Sequence, residues 1–479
     1  LPVQLNIRNF IENQEGNAVE KEYKVSKMNK IHLFIGKAGN TGNEPYDSLG
    51  TYEGLALYSQ GKMRYNSRLL RESILFETNE PYSDNARSST LKQLSRLQSF
   101  DYPTIRYNYT NEDETLLDAS IYLMPKERYS LDFGLDVTQS NIIKRGVAFS
   151  SGLGILNVFR GAETLELGAR GSVGRSSDVA ITEFAFDVQL RAPQFLLPFG
   201  TKLNRQEIEP QTILRVGSGT QNNIGLNKQN FTGTIQYQWS PRKNRRWTFV
   251  LADVEFVNNK NKDNYFGVYT NAYAELNTIA SQTNTNPSYL VNGKLHIPQG
   301  ADAFISDVLG GNTTLLPTDA VYNRVQRIEE RRGRLTQNNL IFSSGLQYFN
   351  STKSGAFDRE FTQYRVNFSW AGNLLNTLGK QLDWKQNDGQ YLLFDVPFSQ
   401  FIKIETDLIK HWEISDNQVL AVRAFAGAAI PYGNADNIPF NRSFFAGGAY
   451  DNRAWEVYRL GPGSSNTGNE FNEANLKLA

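Results

Sequence analysis

Cysteine is absent from the 479 residues, which excludes thiolate catalysis, Cys-ligated zinc, iron–sulfur clusters and disulfide stapling together. A cysteine-free chain suits the cytosol and equally an oxidising compartment, where stray thiols cross-link. Histidine occurs only at His32, His296 and His411, with no H-x3-H or H-E-x-x-H neighbourhood, so a histidine metal site has no footing. Excess charge is missing as well. With 50 Lys+Arg against 49 Asp+Glu, the net charge of +1 provides no basic surface for nucleic acid. No apolar run approaches the ~18 residues that a membrane-spanning helix needs. That excludes helical spans alone, because a transmembrane barrel hides its apolarity in alternating segments of ~10 residues. Leu1 follows no charged-then-apolar leader, as in a processed or trimmed chain.

What the chain does contain is aromatic residues, 12% of the total, together with 38 glycines. That mixture argues for many short strands and against wholesale disorder. The length allows several domains, or one large all-β unit beside a smaller one. The first part reads as mixed α and β. A lone strand at Val3–Ile7 is followed by a polar stretch, a strand at Lys30–Gly36 and a loop rich in Gly, Asn and Ser. Ser67 is expected to cap a helix carrying Leu69, Leu70, Ile74 and Leu75, and Ser83 or Asp84 a second one with Leu91, Leu94 and Leu97 as its stripe. Strands at Thr104–Tyr109 and Leu116–Leu123 close this unit.

From Glu127 the pattern changes to period two. Tyr129, Leu131, Phe133, Leu135 and Val137 alternate with Ser130, Asp132, Gly134 and Asp136. The same alternation marks 183–191 (Phe184, Phe186), 231–239 (Phe231, Ile235, Tyr237, Trp239), 363–370 (Tyr364, Phe368, Trp370) and 402–408 (Ile402, Ile404, Leu408). Further segments at 146–157, 162–174, 211–219, 247–257, 340–350, 417–430 and 468–479 bring the total to about twelve strands. A soluble sandwich also alternates. Aromatics running to the strand ends, opposite a face of mixed charges and amides, favour a lipid-facing barrel with a wet lumen. One long interruption, 259–338, holds helical stretches at Thr270–Ser281 and Arg324–Arg334, and reads as a functional or capping loop.

Catalytic motifs are scarce. Gly152-x-Gly154 and Gly168-x-x-Gly171 lie inside strand patterns with no following helix, Gly379-Lys380 lacks Walker spacing, and there is no G-x-S-x-G elbow. Glu405 and Asp407 share a strand face, as any mixed-charge lumen allows. No catalytic, cofactor or metal-binding residue is proposed.

The most specific segment is 443–463. It contains Phe445, Gly447, Gly448, Arg453 and Trp455, and closes on Leu460, Gly461, Pro462 and Gly463. It resembles the signature loop of the BamA/TamA superfamily of POTRA-bearing outer-membrane barrels, in which an aromatic-Gly-Gly start leads to a central arginine. Asn452 and Ala454 depart from the family's aliphatic and glycine positions. The stretches Arg191–Phe199 and Gly233–Trp239 resemble a TamA-like branch.

The resemblance implies an α+β POTRA domain followed by an antiparallel transmembrane β-barrel. Residues 1–27 would be the tail of a preceding POTRA domain, 28–126 the barrel-proximal one, and 127–479 the barrel. About twelve of sixteen strands would be present, the C-terminus being truncated. It places the POTRA domain in the periplasm, and insert 259–338 and the inward-folding loop 434–467 on the extracellular side. In the family, Arg453 would meet inner-wall carboxylates, here expected on strands beyond the chain. Leu131, Phe133, Gly134, Leu135 and Val137 would form a lateral-gate strand that templates incoming strands. The implied function is insertion or translocation of unfolded outer-membrane clients at the bilayer, with periplasmic or lipoprotein accessory subunits as further partners and without nucleic acid. A two-partner secretion pore, a passive porin and, more distantly, a soluble carbohydrate-binding β-protein are the alternatives.

Overall fold

The computed structural model describes residues 9–14, 17–22, 24–37, 45–110, 115–138, 145–176, 179–196, 208–222, 227–242, 244–260, 263, 265–355, 357–387, 389–447 and 476–478. The chain divides into two compact units, one of Leu1–Ser130, Gly154–Leu165 and Arg191–Gln206, and one of Leu131–Leu153, Glu166–Leu190 and Glu207–Ala479.

In the first unit, β1 (Asn9–Gln14) and β2 (Asn17–Glu22) form a hairpin where the sequence suggested only a polar stretch. Val3–Ile7 lies outside the described residues. Five strands then make one sheet: β3 (Lys27–Ile35), β4 (Asp47–Tyr52), β5 (Leu55–Ser59), β6 (Phe100–Tyr109) and β7 (Leu116–Pro125), in the order β4-β5-β3-β7-β6. The β4–β5 hairpin corrects the expected loop. Its outer strand is polar and almost wholly exposed, so no apolar alternation betrays it, whereas β5 buries Leu55 and Leu57 beside β3.

Two helices cover the sheet, α1 (Ser67–Glu72) and α2 (Asp84–Arg96). Asn66, and not Ser67, caps α1 by accepting the Arg68 N–H at 2.9 Å. That helix ends before Ile74 and Leu75, the first of which is buried in the loop beyond while the second is partly exposed. Ser83 caps α2 as expected, and Leu94 and Leu97 turn into a core with Leu33, Leu70, Ile121 and Leu123. The turn 157–163 belongs to this unit too. Asn157 Nδ2 donates to the Arg64 carbonyl at 2.8 Å, the Asn66 N–H donates to the Arg160 carbonyl at 2.8 Å, and Ala162 joins the core.

The second architecture is a twelve-stranded sheet, with eleven long strands and one of three residues. Its members are β8 (Tyr129–Thr138), β9 (Arg145–Leu156), β10 (Thr164–Ser176), β11 (Val179–Ala192), β12 (Gln211–Asn222), β13 (Lys228–Arg242) and β14 (Arg245–Asn259). An insert follows, with α3 (Tyr265–Val268), α4 (Thr270–Gln282), β15 (Leu290–Val291), β16 (Lys294–Leu295), α5 (Gln299–Leu309) and α6 (Ala320–Thr336). After it come β17 (Asn339–Ser351) and β18 (Phe361–Ala371), then a smaller insert of α7 (Asn373–Gln381), β19 (Gln386–Asn387), β20 (Gln390–Leu393) and β21 (Val396–Pro397). The wall resumes with β22 (Phe401–Ser415), β23 (Gln418–Pro431) and β24 (Leu476–Leu478). Each long strand falls where the alternation placed it. β8 is one edge of this sheet and β24 the other.

Because neighbouring strands run antiparallel, β14, β18 and β23 end at one end of the wall, where the insertions after Asn259 and Ala371 and the described segment 432–447 begin, and the turns after Arg242, Ser351 and Ser415 share the other. The larger insert has its own core around Phe266, Leu276, Ile279, Phe304, Val308 and Val325. Its ends are closed at a neck: Asn259 Nδ2 donates to the Gln337 carbonyl at 2.9 Å, the Asn259 N–H donates to Asn338 Oδ1 at 2.9 Å, and just inside it Val257 pairs with Asn339.

Candidate functional site

Register assigns every wall residue a face, because directly paired residues point to the same side. Phe231, Ile235, Phe256, Phe342, Phe368 and Ile404 share the outer face, whereas Thr232, Thr234, Asp253, Glu255, Ser343 and Glu405 share the inner one. The outer rings are not tucked between two sheets. Phe184 is 53% exposed, Phe231 46% and Ile404 43%. At the turn end an aromatic ladder crosses this face, Trp239 to Trp247 at 6.3 Å, Trp247 to Tyr348 at 4.4 Å and Tyr348 to Tyr364 at 5.5 Å. Such a girdle is what a lipid–water boundary selects.

The inner face is a network of opposite charges and amides. Arg215 donates to Gln189 Oε1 (Nε at 3.1 Å), and Gln189 Nε2 donates to Glu166 at 2.9 Å. Lys403 pairs with Glu405 at 2.9 Å, Asn367 donates to the same carboxylate at 2.8 Å, and Arg423 grips Asp407 through two nitrogens at 2.8 and 3.1 Å. A cavity of about 460 Å³ opens on this face, lined among others by Arg170, Glu183, Lys228, Glu255 and Asn441.

Onto that inner face folds the chain after β23. Ile438 and Phe444 join a cluster of inner-face residues, Ile341, Ala371, Phe401 and Ala429. The Phe444 ring lies against Gly427, where a Cβ would come within 2.5 Å of it, and carries the Lys403 ammonium 4.5 Å from its centroid. Two residues earlier, Arg442 Nη2 reaches Asp253 Oδ2 and Glu255 Oε2, each at 3.0 Å, while Asn441 Nδ2 donates to Glu255 Oε1. Thr234 Oγ1 completes the shell of Asp253 at 3.0 Å. The segment therefore spans the wall from β23 to β14 and is tied at both ends.

A β-bulge makes this possible. The β13–β14 register slips between Ile235 and Gln236, so that Trp247 and Phe249 face outward below it and Val254 and Phe256 above it. A one-residue slip exchanges the faces of a strand. Without it, Asp253 and Glu255 would point into hydrocarbon.

The described part of this segment lies against the inner face, where Arg442 holds it to the carboxylates of β14, a contact sequence reasoning missed. The only available signal was an arginine three residues before the Phe445-x-Gly-Gly start. Of the expected signature residues, Phe445 and Gly447 are described, the first 40% exposed and the second at φ +96°. Gly448, Arg453, Trp455, Gly461, Pro462 and Gly463 lie outside the described residues, so Arg453 and its partners are not placed.

The expected gate residues sit together on the edge strand β8. Leu131, Phe133, Leu135 and Val137 point the same way and are among the most exposed apolar side chains of the wall, Val137 at 86%. Gly134 faces the other side, opposite Ser150. Among the described residues no group of three or more His, Cys, Asp and Glu could hold a metal, and no helix is long and apolar enough to cross a membrane.

A search of curated proteins found no match. Among solved structures the chain is similar to BamA from Haemophilus ducreyi lacking POTRA domains 1–3, with TM-score 0.51 and 11% identity over 95% of this chain and 66% of that one. It thus spans 66% of the length of that structure. Weaker similarities reach CdiB from Acinetobacter baumannii (TM-score 0.29, 9% identity, 90% of this chain and 68% of that one) and CdiB from Escherichia coli (0.35, 10%, 91% and 73%). The model of the Omp85 superfamily domain matches residues 157–479, well over half of the chain. The chain belongs to the Omp85 superfamily, and its fold is like that of the BamA outer-membrane β-barrel.

Proposed function

We propose that this protein is an outer-membrane assembly factor that inserts or translocates unfolded client proteins through a seam beside β8. The observation that carries the proposal is the row of apolar side chains, Leu131, Phe133, Leu135 and Val137, that β8 turns outward. An edge strand in lipid has unpaired backbone groups, and an incoming strand satisfies them by β-augmentation. Residues 28–126, two helices on a sheet, act in this proposal as a barrel-proximal POTRA domain in the periplasm, which puts the insertions 260–338 and 372–400 on the cell exterior. Its edge strands β4 and β6 offer clients or accessory subunits the same augmentation chemistry. No enzymatic step and no cofactor is required, and the driving force is the folding of the client.

A second reading, polypeptide secretion through the lumen, draws support from the charged inner face around Glu166, Gln189 and Arg215. One experiment separates the two. The full chain, carrying a photo-crosslinking residue at Leu135 or Val137, is reconstituted into vesicles and given an unfolded barrel client. Crosslinks at these positions and none at Phe231, on the outer face of a central strand, support insertion at the seam. Crosslinks confined to a probe at Gln189 overturn that proposal in favour of passage through the pore.

A further inference from the structure

The smaller insert, residues 372–400, does not sit over the lumen. Its buried residues Leu375, Val396 and Phe398 cluster with Leu340, Val254, Phe256 and Phe342. Register places the last three, and Leu340 with them, on the outer face of β14 and β17. The attachment is also made through the backbone, the Ser399 N–H donating to the Leu340 carbonyl at 2.9 Å and the Gly372 N–H to the Phe342 carbonyl at 2.8 Å. Gly372, at φ +76°, lets the chain leave β18 here, and a Cβ at this position would come within 2.5 Å of the Ser399 carbonyl oxygen. The insert is therefore fixed on the same side of the wall as the exposed apolar band.

Helix α7 is apolar over more than it needs to bury. At ~100° per residue, Leu374, Leu378, Leu382, Leu375 and Gly379 fill one continuous arc of about 140°, with Asn376, Lys380, Asn373, Thr377 and Gln381 on the remainder. Leu375 and Gly379 take the half that meets Tyr391 and Trp384. The other half is exposed, Leu374 at 54% and Leu382 at 62%. A third apolar side chain, Phe394, stands 81% exposed at the β20–β21 turn with φ +55°, a conformation that bulky residues rarely adopt. The charges of this tip are matched, Lys385 Nζ meeting Asp395 Oδ1 at 2.7 Å.

We propose that the 372–400 insert is an interfacial foot that seats Leu374, Leu382 and Phe394 in the outer leaflet of the membrane. The occupant is lipid because the insert is packed on the outer face of the wall, the face on which Phe368, Ile402 and Ile404 are exposed. A half-buried amphipathic helix with a lysine on its polar arc lies in the headgroup–acyl boundary, ~5–10 Å deep.

The absence of cysteine makes the test direct. Single variants Leu374→Cys, Leu382→Cys, Phe394→Cys, Thr377→Cys on the polar arc and Ile404→Cys within the band are labelled with a polarity-sensitive fluorophore. The full chain is then placed in phosphatidylcholine/phosphatidylglycerol nanodiscs, with and without brominated acyl chains. Only material with the heat-modifiable migration of a folded barrel is read, and the three foot positions report the same surface independently. The expected result is roughly twofold quenching by brominated lipid at 374, 382 and 394, approaching that at 404, and little at 377. Quenching of the foot positions by aqueous iodide as strongly as at 377 overturns the proposal. Protection from both quenchers also overturns it, by assigning the patch to a second copy or a protein partner.

Discussion

Along β22 and β23 the inner face is covered: Phe444 rests on Gly427, Lys403 caps its ring, and the segment continues to Arg442 on the two carboxylates of β14. Along β8 and β9 the inner residues Asp132 and Gly134 lie opposite Gly152 and Ser150, where each glycine leaves its neighbour room. Both flanks come from the same alternating grammar, so strand formation is not what distinguishes them. The difference lies in what the inner face holds. One flank is tied across five neighbouring strands by an ion pair and an apolar plug, and the other presents glycine and serine among its inner residues. Small inner residues beside an edge are compatible with repeated opening, and a pinned plug with permanence.

The largest expected effect is at the pinned flank. Arg442→Ala leaves Asp253 and Glu255 facing each other without a cation and should cost about 3 kcal/mol, allowing for partial solvent access. Loss of heat-modifiable migration at lower temperature, together with protease cleavage within 432–447, is the readout. Arg442→Lys should recover part of it, since an ammonium keeps the charge but not the fork. An unchanged melting profile for the alanine variant would remove the ion pair from the comparison.

Next, Gly427→Leu drives a side chain into the Phe444 ring and should cost about 2 kcal/mol through overpacking. Accessibility of a cysteine placed at Ser443 reports whether the plug is displaced. Gly134→Ala on the loose flank makes a contact of the same nominal closeness, 2.5 Å, but with the Ser150 hydroxyl, which can rotate away. A cost below about 0.5 kcal/mol is expected there. Equal penalties at the two glycines would break the contrast.

A further effect concerns neither flank and serves as their control. In the α+β unit, burial pushes the Tyr65 and Tyr107 phenols up to about 12 from 10. Below pH 10 both states are protonated. Between 10 and 12 the unfolded chain ionises while the folded one does not, so stability falls as pH rises through that window. Circular dichroism melts from pH 9 to 12 should show this loss, and Tyr65→Phe should reduce it.

How much of this is legible in the sequence follows from the range of each signal. Strands β8 to β14 announce themselves because period-two alternation is local, and helices α4 and α6 because their stripes repeat over three turns or more. The Arg442 clamp joins residues 187 and 189 apart, and the bulge in β14 inverts which parity faces the lumen, so no local pattern predicts it. The pair Asp253 and Glu255 reads as lipid-facing if the parity of Trp247 and Phe249 is carried forward. Helix α7 spans only nine residues and lay unread between two strands, although its apolar arc is unbroken. The β4 strand escaped for the opposite reason, having no buried face to pattern.

The neck at Asn259 and Asn338 bears on how such a protein changes over time. Because β14 and β17 pair immediately inside that closure and the 260–338 core is self-sufficient, the appendage is in effect a cassette. Changes within this insert can therefore accumulate while the strands beneath it keep their register.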